Sequence, residues 1–346
     1  MTSVSIAMAT YNGRQHIRRQ LDSLAAQTLI PAELVVTDDG SDDDTISVVD
    51  AFARSAPFAV KVFRNEGRLG YRKNFMRAAS LCQSELIAFC DQDDYWHPNK
   101  IEVSVRPFAD SEVLLAYHNA DVVTGDGQRI GTLAERAPQQ RVLTPLSSGP
   151  WLHALGFTEL FRRSLLQWSH LWPQSLDQDR RGQPLAHDQW FFFLASVFGT
   201  IVYIDEPLVA YVQHGRNTYG WGEPGLREFV EKHLRNHSQR FSHVAKAAQR
   251  RADILEIAGR TLEGVWAERA TIARGYYQVL SSHYALRSRL YESASLSDRI
   301  KAYRAILRNG GYSGGPWTLG RRCLVTDVCP GVFIGHLLPP STYWLG

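Results

Sequence analysis

The sequence predicts an α/β fold, a mostly parallel sheet flanked by helices and followed by a helical C-terminal region. Three observations carry that expectation. Over residues 4–90, apolar runs of strand length alternate with segments whose apolar residues recur at helical spacing. Acidic residues gather directly after the second and fourth runs, where open parallel sheets bind ligands. Beyond Gly225 long helical patterns take over, with few Gly or Pro.

Val4–Ala9 is a short β-rich run that ends in a polar turn, Thr10–Gly13. Ile17, Leu21 and Leu24 then recur at helical spacing, which predicts a helix over about 15–27. Pro31 interrupts the chain before a second strand, Glu33–Thr37, which closes on Asp38, Asp39, Gly40 and Ser41. Asp42, Asp43 and Asp44 offer caps and negative charge to a helix over Thr45–Arg54. A third strand, Val60–Arg64, a third helix, Tyr71–Leu81, and a fourth strand, Glu85–Cys90, complete the alternation. That last strand runs straight into Asp91-Gln92-Asp93-Asp94. The stretch from Leu114 to Tyr211 is mixed. Leu226–Arg251, Ile254–Ala273 and Tyr276–Leu290 read as helices, and a Gly-rich turn over 310–316 precedes the last segment.

The chain has 346 residues, 44% of them hydrophobic, enough for two domains or one enlarged one. Its net charge of +3 hides an asymmetry: residues 1–225 carry −6 and residues 226–346 carry +9. The acidic front suits a body that binds cations, and the basic rear suits an anionic partner or an Arg-rich helical surface. Four cysteines without CxxC pairing read as reduced thiols. No stretch is long and apolar enough to span a membrane, and the first residues lack a basic leader. These features predict a cytoplasmic protein, peripheral at most to the inner face of the cell membrane. Nothing in them points to nucleic acid.

Asp91, Asp93 and Asp94 are three carboxylates within four residues at a strand end. They repel one another unless a cation sits between them. Mg²⁺ or Mn²⁺ takes one or two carboxylates plus phosphate oxygens, and D-x-D spacing lets two carboxylates reach one ion. Read alone, the same spacing also suits a solvated acidic turn. Asp38 and Asp39 end a buried strand, where a carboxylate can accept from a base N–H, and where turn-building is the plainer alternative. Tyr11 follows the first strand and offers a ring for stacking. Asp188 precedes the apolar run Trp190–Phe198, so it falls at a helix start, able either to cap the helix or to take a proton. His214 and Asn217 follow the run Pro207–Val212; a neutral imidazole there suits a metal or phosphate oxygen.

Four segments in order resemble the family 2 glycosyltransferases. SIAMATYNGRQHIRRQLDSLAAQTLIPAELVVTDDGSDDDT resembles the family's opening. NEGRLGYRKNF with SELIAFCDQDDYWHPNKI resembles its next segment and D-x-D strand end. AHDQWFFFLAS resembles the acceptor-side acidic motif, and YIDEPLVAYVQHGRNTYG the ending of the rhamnosyltransferase-like members of lipopolysaccharide and capsule synthesis. The resemblance covers about residues 3–220. It implies a Rossmann-like glycosyltransferase-A fold over residues 1–222, nucleotide-binding over about 1–110 and acceptor-side over about 111–222, with a helical region at 223–346 outside it. It implies transfer, with inversion, of a sugar from a UDP- or dTDP-sugar to a glycan or lipid-linked glycan hydroxyl, with rhamnose as first choice.

Carried over by position, Thr10, Tyr11, Asp38 and Asp39 would hold the base and Lys73, with Arg72, would approach the phosphates. Asp91 would contact donor or metal shell, Asp93 would be the principal ligand of Mg²⁺ or Mn²⁺ with His214 assisting, and Asp188 would be the general base. The Q-x-x-R-W motif of processive synthases is absent. A catalytically silent sugar-nucleotide-binding assembly subunit is the alternative; a nucleotidyltransferase would need a Gly-rich loop where Ala9–Gly13 stands. The helical region implies a membrane-surface contact or a homo-oligomer.

Overall fold

The computed structural model describes residues 3–133, 141–213 and 236–338. The chain divides into two compact units. The first holds residues 1–145, 153–169 and 186–221; the second holds 146–152, 170–185 and 222–346.

The first unit is built on a mixed sheet. Its strands are β1 (Val4–Thr10), β2 (Glu33–Asp38), β3 (Ala59–Arg64), β4 (Leu86–Cys90), β5 (Tyr95–Trp96), β6 (Val113–Thr124), β7 (Arg129–Thr132), β8 (Val142–Leu143), β9 (Glu159–Arg162) and β10 (Thr200–Gln213). The order is β3-β2-β1-β4-β9-β6-β10-β5, with β7 on β6 and β8 on β10. β3, β2, β1 and β4 run parallel, as the strand–helix alternation requires. β9 is antiparallel to both β4 and β6, so the sheet is mixed beyond β4, where β6 and β10 again run parallel to each other.

β1, β2 and β4 are buried almost throughout, as central parallel strands covered on both faces must be. Helices α1 (Ile17–Ala25), α2 (Thr45–Ala53), α3 (Tyr71–Leu81) and α4 (Lys100–Val105) connect them or follow them. Ile17, Leu21 and Leu24 of α1 belong to one core with Val4, Ile6 and Met8 of β1. α5 (His187–Phe198) is apolar around most of its circumference, and ten of its twelve side chains are buried. A helix of that composition belongs inside: Phe191 stacks on Phe161 at 4.1 Å, and Phe198 on Trp168 at 4.5 Å.

The second unit carries α6 (Ser238–Gly259), α7 (Gly264–Glu292), α8 (Leu296–Arg308) and α9 (Arg321–Thr326). The helix breaks fall at 260–263 and 293–295, whereas the sequence suggested breaks after Arg251 and Ala273. Arg251, where the sequence suggested a helix end, is buried within α6, donating to the Pro150 carbonyl and to Gln178 Oε1 at 3.0 Å. None of the described helices is long and apolar enough to cross a membrane.

Candidate active site at the strand ends

Three strand ends of the first unit converge. β1 ends at Thr10 beside Asp38 of β2, and Met8 of β1 pairs with Cys90 at the end of β4. Asp38 is wholly buried and builds the turn after β2. Its Oδ1 accepts from the Thr10 hydroxyl at 2.9 Å and the Ser41 hydroxyl at 2.5 Å, and its Oδ2 accepts from the Ser41 amide at 2.9 Å. Asp39 reaches the other way. Its Oδ1 accepts from Leu69 N at 2.6 Å and Asn65 Nδ2 at 3.0 Å, and its Oδ2 from Gly70 N at 2.8 Å. That grip sets the 65–70 turn, and Arg68 from that turn lies over the Tyr11 ring at 4.1 Å.

The D-x-D turn is tied to the β1 turn through its middle residue. Gln92 Oε1 accepts from Tyr11 N and Gln92 Nε2 donates to Tyr11 O, both at 3.0 Å. Gly13 makes room for this: a Cβ there would stand 2.2 Å from Gln92 Oε1.

Asp91, Asp93 and Asp188 share one electrostatic environment. Burial, then the charges of Asp93 and Asp188, push the Asp91 carboxyl up to about 8. Asp94 is pushed well above the carboxylate range by burial, then by Asp93 and Asp91. Its Oδ1 accepts from Val212 N of β10 at 3.0 Å, while its buried Oδ2 has no partner among the described residues. The positive charge here is Lys100, which donates to the Phe157 carbonyl at 2.5 Å and lies 4.0 Å over the Trp96 ring. Burial lowers its ammonium to about 7 against the pull of Cys90, Asp94 and Asp91.

Asp188 stands in the first turn of α5, where Oδ1 accepts from Gln189 N at 2.8 Å and the Gln189 side chain caps Ala186 N at 2.9 Å. Beside it, His187 is stacked on Phe75 at 4.0 Å with its edge to Phe89, and its Nδ1 has no partner among the described residues. Burial lowers this imidazole to about 4, so it is neutral. Gly156 lets the preceding loop close over α5: a Cβ at that position would stand 2.5 Å from His187 Nε2 and 3.5 Å from Asp188 Cβ. Glu159 of β9 is wholly buried and neither carboxyl oxygen has a partner among the described residues. Burial, and then the charge of Asp188, push it well above the carboxylate range. Its neighbour across the sheet, Tyr117, lines a cavity with His118, Asn119, Leu155, Thr158 and Tyr203.

Of the two α3 cations picked out from the sequence, Arg72 is buried and its charge reaches His187, whereas Lys73 is exposed. His214 and Asn217 lie outside the described residues. Among the described residues no three His, Cys, Asp or Glu side chains form a ready-made metal cage. The crowded Asp91 and Asp93 do suit a hard cation that keeps waters and takes phosphate oxygens for the rest of its shell. Gln92, Lys100, His187 and Glu159 were not singled out from the sequence. Only Lys100 left a trace there, a lone cation in the apolar stretch 100–105.

Residues 5–168 match the profile described as "Glycosyl transferase family 2". Curated relatives include an uncharacterized glycosyltransferase of Nostoc sp., 27% identical over 222 residues, or 62% of this chain and 66% of that one. They include the dTDP-rhamnosyl transferase RfbG of Shigella flexneri, 26% identical over 62% of this chain and 73% of RfbG. WfgD of Escherichia coli, named as a UDP-Glc:alpha-D-GlcNAc-diphosphoundecaprenol beta-1,3-glucosyltransferase, is 32% identical over 36% of this chain and 47% of its own. A crystal structure of S. aureus TarS 1-349 in complex with UDP superposes with a TM-score of 0.47 at 17% identity, covering 90% of this chain and 93% of that one. Over residues 5–168, just under half of the chain, the sequence is thus similar to glycosyl transferase family 2.

Proposed function

We propose that this chain is an inverting glycosyltransferase that uses a UDP- or dTDP-sugar, rhamnose being the first choice. The acceptor is a hydroxyl of a glycan or lipid-linked glycan in surface polysaccharide synthesis. The observation that carries this reading is that the charges of Asp93 and of Asp188, from stretches of chain far apart in sequence, both bear on Asp91.

The Asp188 carboxylate takes the proton of the acceptor hydroxyl as its oxygen bonds to the anomeric carbon. The bond from that carbon to the diphosphate oxygen breaks, and the electron pair leaves with the diphosphate. Asp93 and Asp91, with His214, are the side chains that would hold Mg²⁺ or Mn²⁺; when bound, such an ion neutralises the departing diphosphate. Tyr11, Thr10, Asp38 and Asp39 frame the nucleotide side, and Arg72, better placed than Lys73, neutralises charge toward α5. The acceptor sugar lies against the cavity of Tyr117, His118 and Asn119, next to Glu159. Similarity to RfbG, a dTDP-rhamnosyl transferase, and to WfgD, a diphosphoundecaprenol glucosyltransferase, supports a dTDP-sugar donor and a lipid-linked acceptor. That acceptor puts the enzyme at the inner face of the cell membrane.

A hydrolysis screen over UDP-, dTDP- and GDP-sugars with Mg²⁺ or Mn²⁺ tests the reading. Ion-stimulated release of UDP or dTDP is expected. Donor binding without turnover, with every donor and with glycan acceptors added, would instead make the chain a silent binding subunit.

A further inference from the structure

The last helical run of the second unit turns its apolar side outward. Residues 321–337 continue from α9 through a wide turn at Asp327–Val332 to a tight one at Gly335–Leu337. Asp327, Gly331 and Gly335, four residues apart, are buried together with Val332. Val325, Phe333 and Leu337, eight and then four residues apart and offset by two from the buried set, are 61%, 60% and 71% exposed, and Ile334 beside them is 47% exposed. An ordinary amphipathic helix on a soluble protein does the reverse, burying the apolar stripe and wetting the polar one.

Strong polar ties hold this inversion in place. Asp327 accepts from Arg287 Nε at 2.8 Å and Nη2 at 2.9 Å, and from the Tyr312 hydroxyl at 2.8 Å. Arg299 Nε donates to the Val332 carbonyl at 2.6 Å and Asn236 Nδ2 to the Gly335 carbonyl at 3.0 Å. The outward residues are therefore presented by an anchored backbone.

We propose that this face, Val325, Phe333, Ile334 and Leu337 with Arg321 and Arg322 at its start, docks flat on an anionic lipid bilayer. Large exposed apolar side chains on a fixed backbone mark a contact surface. A helix with an apolar outer face and basic neighbours lies in the bilayer interface, its apolar residues at the acyl boundary and its cations among anionic headgroups. Arg321 and Arg322 are exposed and make no ion pair with a described residue, so both are available to headgroups. The charge of +9 over residues 226–346 attracts that surface and opposes stacking against a second copy of the same unit.

The test is co-sedimentation of the full chain with vesicles of phosphatidylcholine, alone or mixed with phosphatidylglycerol, with no donor or acceptor present. Binding only to the mixed vesicles, weakened by salt, is expected. Phe333→Ser with Leu337→Ser should weaken it about tenfold, and Arg321→Glu with Arg322→Glu should abolish the preference for phosphatidylglycerol. Unchanged thermal melting and UDP binding show that each variant is folded. Wild-type protein that stays in solution, or variants that bind as wild type does, would overturn the proposal. So would sedimentation velocity showing a dimer that the Phe333/Leu337 variant dissociates. Because no transfer is assayed, any of these outcomes leaves the glycosyltransferase reading standing.

Discussion

The Gln92 side chain clasps the backbone of Tyr11 from both sides, accepting from its N–H and donating to its carbonyl at 3.0 Å each. These residues lie 81 apart in sequence, and their clasp holds the D-x-D turn against the turn that carries the candidate base-stacking ring.

Gly13→Ala and Gln92→Ala should therefore fail alike. The first drives a methyl into Gln92 and the second removes it. Each should weaken donor binding about tenfold, from the loss of two hydrogen bonds. The double variant should be no worse than either single one, since both act on one clasp. Titration calorimetry with UDP and dTDP reads this; additive losses would show that the two residues act separately.

Asp188→Asn should lower transfer about 10²–10⁴-fold, the usual contribution of a positioned base. Donor affinity should stay within about twofold, because the amide keeps the shape and relieves the repulsion on Asp91. Steady-state rates with separately measured donor affinity check it. Wild-type turnover would remove Asp188 from the chemistry.

His187 makes stability depend on acid. Its imidazole drops from an ordinary 6.5 to about 4 in the fold. Between those values the unfolded chain binds a proton that the folded chain does not. Stability is thus present above about 6.5 and falls as pH drops toward 4, by up to about 3 kcal/mol. His187→Gln should flatten that slope in urea unfolding series across the same range.

Glu159 works with the opposite sign. Its carboxyl is raised in the fold, so the folded chain holds a proton that the unfolded one releases once the pH exceeds the ordinary value of 4.5. Stability is lost as pH rises, and Glu159→Gln should be more stable than wild type at pH 8, with the gap closing toward pH 4.5. Thermal midpoints at several pH values decide it; an equally stable or weaker variant at pH 8 would contradict the buried, protonated carboxyl.

Arg287→Leu should cost about 3–5 kcal/mol, because Asp327 would remain as an uncompensated buried charge. Asp327→Asn should cost less, since the amide still accepts from Arg287 and Tyr312. Urea midpoints compare the two; equal losses would mean that charge is not the issue.

The alternation of strand and helix over residues 4–90 was legible because each element carries its own period and its neighbours in sequence are its neighbours in space. The far half of the sheet was not. β9 is four residues long and pairs antiparallel with β4 and β6, partners that local spacing cannot announce. β6 and β10 pair through register shifts near Asn119 and Pro207. The same division holds at the site. Asp38, Asp39, Asp91, Asp93 and Asp188 could be picked out because carboxylates at strand and helix ends are informative by type and place. Gln92, Lys100 and Glu159 matter through what they meet, and Lys100 meets Phe157 across 57 residues. In the second unit the buried Arg251 and Arg287 were not legible either, since their partners, Pro150, Gln178 and Asp327, lie far along the chain.

The proposed proton acceptor is mounted at the start of a helix with almost every side chain buried and several of them stacked on aromatic rings. Such a post can hardly tilt without breaking several stacks at once. Adaptation to a new sugar or a new linkage must then come from the surrounding turns, which can be re-cut around a point that stays where it is.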